Sequence, residues 1–88
     1  MPKADLKIVN QRGLHARAAA KFVKLANCYK ADITVSMDDY SVSGSSIMGL
    51  LMLAAKRGDK IVLETNGLQA EKALNALTDL INQKFEEL

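Results

Sequence analysis

The apolar residues of this chain repeat with two periods, and the order in which these periods alternate constrains the fold more than any other feature. A two-residue period is typical of a strand buried on one face, and a three-to-four-residue period is typical of an amphipathic helix. Gly13 and the Asn66-Gly67 pair mark breaks between such segments. The sequence predicts strands at residues 5–10, 33–37, 40–43 and 60–64, and helices at 16–27, 47–55 and 70–85.

The resulting order, β-α-β-β-α-β-α, is typical of an α+β domain. Its split βαβ arrangement allows the strands to form one four-stranded sheet, with the helices covering one face and water on the other. A chain of 88 residues that is 49% hydrophobic can bury a modest core without disulfide or metal staples. We therefore expect one domain that spans residues 1–88.

The ends of two helices are predicted from local signals. The second helix should close with a basic last turn, Lys56 and Arg57, followed by Gly58 as the stop. The third helix should continue to Phe85, because this aromatic residue keeps the helical period. Phe22 and Phe85 are both predicted to be core residues.

The content of reactive residues excludes several classes of function. One histidine and one cysteine cannot form a zinc site, and both common Gly-rich phosphate motifs are missing, so we expect no metal or nucleotide cofactor. A net charge of +2 without a basic, aromatic stripe argues against a nucleic-acid partner. The single Cys28, with no leader or membrane-spanning stretch, predicts a cytoplasmic protein. The Asp38-Asp39 pair is interpreted as a solvated turn.

His15 lies between Gly13-Leu14 and the helix that opens at Ala16, which is a helix N-cap position. Unpaired amides and the positive end of the helix dipole make such a position an anion site, and Arg17 adds a charged donor. The same field favours a neutral, nucleophilic imidazole. A polar cap or an ordinary surface histidine without chemistry is the simpler interpretation of an isolated histidine, and the position of His15 alone does not exclude it.

Two neighbouring features favour a functional histidine. Arg17, Lys21 and Lys24 recur on one face of the first helix, although a solvated basic face has the same pattern. The segment 47–53 is apolar on every side, and so small a domain cannot hide all of a short helix. A buried helix and an exposed, methionine-containing docking patch explain this segment about equally well.

Two motifs resemble those of HPr, the family of histidine-containing phosphocarriers of the bacterial phosphoenolpyruvate-dependent phosphotransferase system. Gly13-Leu14-His15-Ala16-Arg17 is similar to the active-site stretch of this family, and Ser46-Ile47-Met48-Gly49 is similar to its regulatory-serine stretch. Both motifs stand at the expected places, and the resemblance covers essentially all 88 residues. It implies an open-faced sandwich of four antiparallel strands with three helices on one face.

The resemblance also implies a phosphocarrier that is not itself an enzyme. His15 would accept a phosphoryl group on Nδ1 from phosphorylated enzyme I and pass it to enzyme IIA domains or their regulatory counterparts, in sugar uptake or in nitrogen and carbon regulation. Arg17 would orient and partly neutralise this group. Ser46 would be a candidate phosphoserine for a serine kinase, and we expect a monomer. The docking surface would consist of Ile47, Met48 and Leu51, with Lys21 and Lys24 at its rim.

One residue departs from the family pattern, because Ala18 stands where the family usually has proline. Alanine is a strong helix former, so the helix should persist, while the fine geometry and transfer rate at His15 could differ. Two alternatives are set against the carrier: a binding module of the same fold that docks partners without carrying phosphate, and an RNA-binding sheet. His15 and Arg17 argue against the first, and the second would need exposed strand aromatics.

Overall fold

The computed structural model describes residues 2–87, in which four strands form one antiparallel sheet. The order of the strands across the sheet is β1-β4-β2-β3, so β4 lies between β1 and β2. This is the split arrangement that the sequence predicts, and the α+β class and the open-faced sandwich are both confirmed. The strands are Lys3–Lys7 (β1), Asp32–Met37 (β2), Tyr40–Ser43 (β3) and Lys60–Asn66 (β4).

The register of the strands places apolar residues together on one face of the sheet. Leu63 of β4 pairs with Ala4 of β1 on one side and with Val35 of β2 on the other. Along β4, Ile61, Leu63 and Thr65 are buried while the residues between them are not, as expected for a sheet with one covered face. The covered face therefore belongs to the core.

Three helices lie on the covered face: Ala16–Ala26 (α1), Ile47–Leu53 (α2) and Ala70–Asn82 (α3). The predicted stripe of α1 is confirmed, with Phe22 buried at its centre, and Leu77 takes the same role in α3. Each buried side chain of this size contributes about 1.5–3 kcal/mol to stability. Ala18 is buried in the first turn of α1, so the helix persists without the family's usual proline. Within residues 2–87, no helix has the length and apolar content needed to cross a membrane.

The first strand was predicted at 5–10 and lies instead at Lys3–Lys7, because the chain leaves the sheet ladder at Ile8. The Ile8 amide donates to the carbonyl of Asp59, and the Ile8 carbonyl accepts from Gly58, both in the loop before β4. Ile8 and Asn10 are nevertheless fully buried. The alternating pattern continues past Lys7 because Ile8 and Asn10 still point into the core. At these positions the pattern indicates burial and does not indicate pairing with another strand.

The predicted end of α2 is also wrong. The helix stops at Leu53, and Ala54 takes the left-handed conformation of a C-cap (φ 54°, ψ 37°), with its amide donating to the Leu51 carbonyl. Lys56 and Arg57 therefore lie in the following turn and not in the last turn of the helix. Glycine usually takes the left-handed position that ends a helix, and its presence marks the helix end in a sequence. Because alanine takes this position here, the sequence did not show where α2 ends.

The third helix ends at Asn82 and not at Phe85. Lys84, Phe85 and Glu86 all have left-handed backbone (φ 61°, 54° and 60°), which reverses the chain after α3. Phe85 is buried in the core, as predicted, but it enters the core from this reversal. A left-handed non-glycine residue costs about 1–2 kcal/mol, so three in succession need compensating contacts.

Candidate functional site

His15 is the N-cap residue of α1, as the sequence predicts. Its backbone is extended (φ −81°, ψ 178°), and its carbonyl accepts the first helical hydrogen bond from Ala19. Its side chain makes no capping hydrogen bond, so the imidazole is not consumed by the structural role that a cap residue usually has. The interpretation of His15 as a mere polar cap is therefore not supported by its contacts.

The loop that carries His15 packs against the turn that follows α2. Leu14 donates its amide to the carbonyl of Ala55 at 2.9 Å, and the Leu14 side chain is buried in the core. Gly13 has φ 67°, a left-handed conformation that suits glycine, and its backbone passes close to Ala55 and Lys56. The position of the imidazole therefore depends on packing between two loops.

A cleft of about 400 Å³ opens beside the imidazole, between the start of α1 and the C-terminal segment. His15 keeps 20% of its side chain exposed in this cleft. Arg17 is exposed and makes no ion pair with any residue between 2 and 87, so its guanidinium can meet an anion at the helix start. The other walls include Arg12, Ala18, Lys21 and Phe85.

Among residues 2–87, the imidazole has one ion-pair partner, a carboxylate that the sequence did not predict. Nε2 of His15 lies 3.3 Å from Oε2 of Glu87. The same carboxylate accepts hydrogen bonds from Nδ2 of Asn10 at 2.9 Å and from the backbone amide of Arg12 at 3.2 Å. Two hydrogen bonds and the contact with the imidazole therefore converge on one side chain.

These contacts keep the carboxylate ionised. The hydrogen bond from Asn10 is the largest cause that holds the pKa of Glu87 below its usual range, and contacts with Arg12 and His15 act in the same direction against partial burial. Because the folded pKa lies below the unfolded one, this attachment stabilises the protein above the unfolded pKa and is lost as pH falls through the folded value. The C-terminal segment is therefore charged and attached near neutral pH.

The apolar helix α2 is divided between core and surface. Leu50 and Leu53 are buried, whereas Ile47, Met48 and Met52 are exposed. Of the predicted docking residues, Ile47 and Met48 thus face solvent, but Leu51 is half-buried and packs against the core. Both interpretations of this segment hold in part, since one side of the helix is core and the other is an exposed apolar patch.

Ser46 caps this helix, as its position predicts. Its Oγ accepts a hydrogen bond from the amide of Gly49 at 2.9 Å, which satisfies one donor of the first turn. The side chain is only partly buried, so its hydroxyl stands at the boundary between the α2 cap and solvent.

The basic residues of α1 have different surroundings. Nζ of Lys21 donates to the carbonyl of Phe85 at 3.0 Å and lies 3.6 Å from a carboxylate oxygen of Glu86. Lys21 therefore binds the C-terminal segment, whereas Lys24 is exposed. The sequence pattern gave Lys21 and Lys24 the same role, but among the described residues only Lys21 contacts the C-terminal segment.

Comparison with known families gives this site a context. A family model described as "PTS HPr component phosphorylation site" matches residues 2–83. The chain belongs to the HPr family. The resemblance predicted from the two motifs is confirmed, and with it the class of an HPr phosphocarrier of the phosphotransferase system.

Individual relatives match over nearly their whole length. Proteins named Phosphocarrier protein HPr from Neisseria meningitidis and Pseudomonas aeruginosa are each 49% identical, over 87 and 88 residues, and the match covers 99% of this chain and 98% of each relative. A crystal structure of HPr from Thermoanaerobacter tengcongensis is 40% identical, with a TM-score of 0.95, and covers 100% of this chain and 99% of that one. The HPr fold therefore extends across the chain.

Proposed function

We propose that this HPr-family chain accepts a phosphoryl group on His15 from phosphorylated enzyme I and passes it to enzyme IIA domains, in sugar uptake or in nitrogen and carbon regulation. The chain, residues 1–88, acts as one domain and is a substrate of the relay, not an enzyme. Arg17 orients the phosphoryl group and offsets part of its charge.

The observation that carries this proposal is the imidazole at the start of α1. It is a nucleophile that makes no capping contact, it faces an open cleft, and it lies where the first-turn amides and the helix dipole favour a negative group. An exposed guanidinium two residues later adds a positive charge. Together these features suit a histidine that gains and loses an anion.

The test is incubation of the purified chain with enzyme I and phosphoenolpyruvate. A carrier should gain one phosphoryl group per chain, and the bond should be labile in acid, as a phosphorus–nitrogen bond is. Addition of an enzyme IIA domain should then remove the group from the chain. A chain that binds enzyme I but gains no phosphate would instead be a docking module of the HPr fold.

The exposed part of α2 supplies the docking surface in this proposal. Ile47 and Met48 are exposed on α2 and offer apolar contact area beside the first helix. In this proposal the exposed Lys24 would lie at the rim, and so would Lys21, which in the free protein binds the Phe85 carbonyl. A patch that combines apolar and basic residues suits partners with acidic surfaces and short-lived contacts. Leu51 supports the patch from below, since it packs against the core.

We predict that Met48→Asp weakens the binding of enzyme I by about tenfold or more, because the substitution puts a charge into a desolvated contact. Met48 is 67% exposed, so the melting temperature should change little. Leu68→Asp is a matched control, since it makes a similar change at an exposed apolar residue in the turn before α3. Equal binding by both variants, measured by titration calorimetry, would remove α2 from the docking surface.

A serine kinase that modifies Ser46 is part of the same proposal. A phosphate on this residue would lie at the positive end of α2, so the fold would tolerate it. It would also bring about two negative charges to the edge of the docking patch, where they would repel acidic partners. Phosphorylation of Ser46 would thus slow transfer without unfolding the protein.

Ser46→Asp, a partial mimic with one charge, should slow phosphorylation of His15 by about two- to fivefold at low salt, because an exposed charge has a modest effect that salt screens. Aspartate still caps α2, so thermal stability should hold. Ser46→Ala removes the cap without adding charge, and should instead lower the free energy of unfolding by about 1 kcal/mol. Transfer by folded Ser46→Asp at the wild-type rate in low salt would leave Ser46 with its capping role alone.

The remaining parts of the proposal concern location and assembly. An exposed, unpaired thiol at Cys28 is typical of a reducing compartment, which supports work in the cytoplasm. We infer that the carrier acts as a monomer, since each partner must reach both His15 and α2. Sedimentation at working concentration tests this, and a stable dimer that covers α2 would contradict it.

A further inference from the structure

We propose that Met48 and Met52 form a modification site: oxidants of the peroxide class convert their thioethers to sulfoxides, and this oxidation weakens the binding of partner proteins to α2. The inference rests on the proposed docking function of α2 and adds a chemical control of that surface. Met52 lies in neither sequence motif, and the docking residues predicted from the sequence do not include it.

The methionines of the described chain differ in their access to solvent. Met48 is 67% exposed and Met52 is 78% exposed, whereas Met37, at the end of β2, is half-buried and packs against the core. Met1 lies outside the described residues. Because an oxidant must reach the sulfur atom directly, exposure ranks these sites, and Met48 and Met52 should react before Met37.

The two exposed methionines belong to one ridge of α2. They stand four residues apart on the helix, which places them on the same face. Leu50 and Leu53 occupy the opposite side and are buried in the core, while Ile47 adds to the exposed apolar area. Oxidation of the ridge would therefore change the surface of the protein and leave its core intact.

The distribution of residue types along α2 favours sulfur chemistry on the exposed side. The leucines of this helix, Leu50, Leu51 and Leu53, all pack against the core, and methionine takes its two most exposed positions. Leucine offers a similar apolar area but has no sulfur, whereas methionine has an apolar form and an oxidised, polar form. The exposed side of the helix is thus the side whose polarity a mild oxidant can change.

The reaction is a two-electron oxidation of sulfur by hydrogen peroxide. A sulfur lone pair forms a bond to one peroxide oxygen, the O–O bond breaks, and the departing hydroxide takes the proton of the transferred hydroxyl and becomes water. Sulfur is oxidised to the sulfoxide and the peroxide is reduced. A methionine sulfoxide reductase reverses the step with two thiols, which become a disulfide while the sulfoxide oxygen leaves as water.

A sulfoxide on this ridge would oppose docking because of its solvation. Its polar S–O group is hydrated in the free protein, and an apolar partner surface offers it no hydrogen-bond donor in place of that water. Oxidation therefore destabilises the complex without destabilising the free chain. We expect oxidation of both residues to weaken enzyme I binding by about tenfold.

The test follows oxidation and binding in one titration with hydrogen peroxide. Cys28→Ser is the background for every sample, because the exposed thiol of Cys28 reacts with the same oxidant. Peptide mass spectrometry locates each added oxygen, and titration calorimetry measures enzyme I binding. Met48 and Met52 should gain oxygen at least about threefold faster than Met37, and binding should weaken as they do so, while the melting temperature holds. Reductases for both sulfoxide epimers should restore binding.

Two further variants assign the effect to the ridge. In the double variant Met48→Leu/Met52→Leu, the affinity before and after peroxide should be the same, whatever its starting value. Met37→Leu should still lose affinity by about tenfold on oxidation. Oxidation of Met37 as fast as the other two, unchanged affinity of the oxidised chain, or an equal loss in the double variant would each overturn the inference. If the untreated chain does not bind enzyme I, the proposed function fails, whereas the oxygen gain at each methionine still tests the modification site.

Discussion

His15→Ala should gain no acid-labile phosphate from enzyme I and phosphoenolpyruvate, while the protein stays folded. The loss should be complete because the chain has one histidine, and no other residue offers an imidazole at the start of α1. Stability should change by less than about 1 kcal/mol, since the His15 side chain makes no capping hydrogen bond. Phosphate incorporation, with thermal unfolding followed by circular dichroism, measures both effects.

A second variant separates chemistry from capping. His15→Asn introduces a better N-cap residue that lacks a nucleophilic ring nitrogen, so it should be as stable as wild type or more so, and equally inactive. Acid-labile phosphate on either variant would contradict the carrier assignment. Loss of structure in both variants would show that the imidazole supports the loop through its contact with Glu87, whereas loss in His15→Ala alone would show that the N-cap position matters.

The parts of the fold that sequence analysis predicted are those that local periodicity controls. Helix α1 lies within one residue of its predicted end, and strand β3 has its predicted bounds, Tyr40–Ser43. The N-cap positions of His15 and Ser46 are also correct, because a cap is decided by a few neighbouring residues. Local signals thus placed the candidate nucleophile and the candidate regulatory serine.

The errors occur where tertiary contacts override the local pattern. Ile8 continues an alternation but bonds to the loop before β4, and Phe85 continues a helical period but enters the core from a left-handed turn. Phe85 was correctly predicted to be a core residue, and Ile8, for which the pattern predicted a strand, is also buried. What the pattern could not record is the backbone conformation that achieves the burial.

The contact between His15 and Glu87 had no signal in the sequence at all. Glu87 and its anchor Asn10 lie 77 positions apart, and an acidic residue near a chain terminus is usually solvated. The hint that was available is Asn10 itself, a polar residue that follows a strand and precedes Gly13. The sequence did not predict the chain reversal after α3, so it could not show that the Asn10 amide binds Glu87.

The loop before His15 depends on a second long-range contact, and Gly13→Ala should expose it. An alanine Cβ at this position would lie 2.6 Å from the carbonyl oxygen of Ala55, far inside contact distance, and φ of 67° is unfavourable for alanine. The backbone must move, which strains the Leu14 hydrogen bond to the same carbonyl. We expect the free energy of unfolding to fall by about 2–4 kcal/mol and the melting temperature by about 10 °C or more.

Gly58→Ala distinguishes the contact from the backbone conformation. Gly58 is also left-handed (φ 94°), but a Cβ there would meet nothing within 4 Å, so this variant should lose only about 1–2 kcal/mol. Below its melting temperature, Gly13→Ala should also accept phosphate more slowly than wild type, because the displaced loop carries His15, whereas Gly58→Ala should not. Equal losses of stability in the two variants would mean that the turn at Ala55 moves at little cost when Gly13 gains a Cβ. The His15 loop would then not depend on the turn that follows α2 for its position.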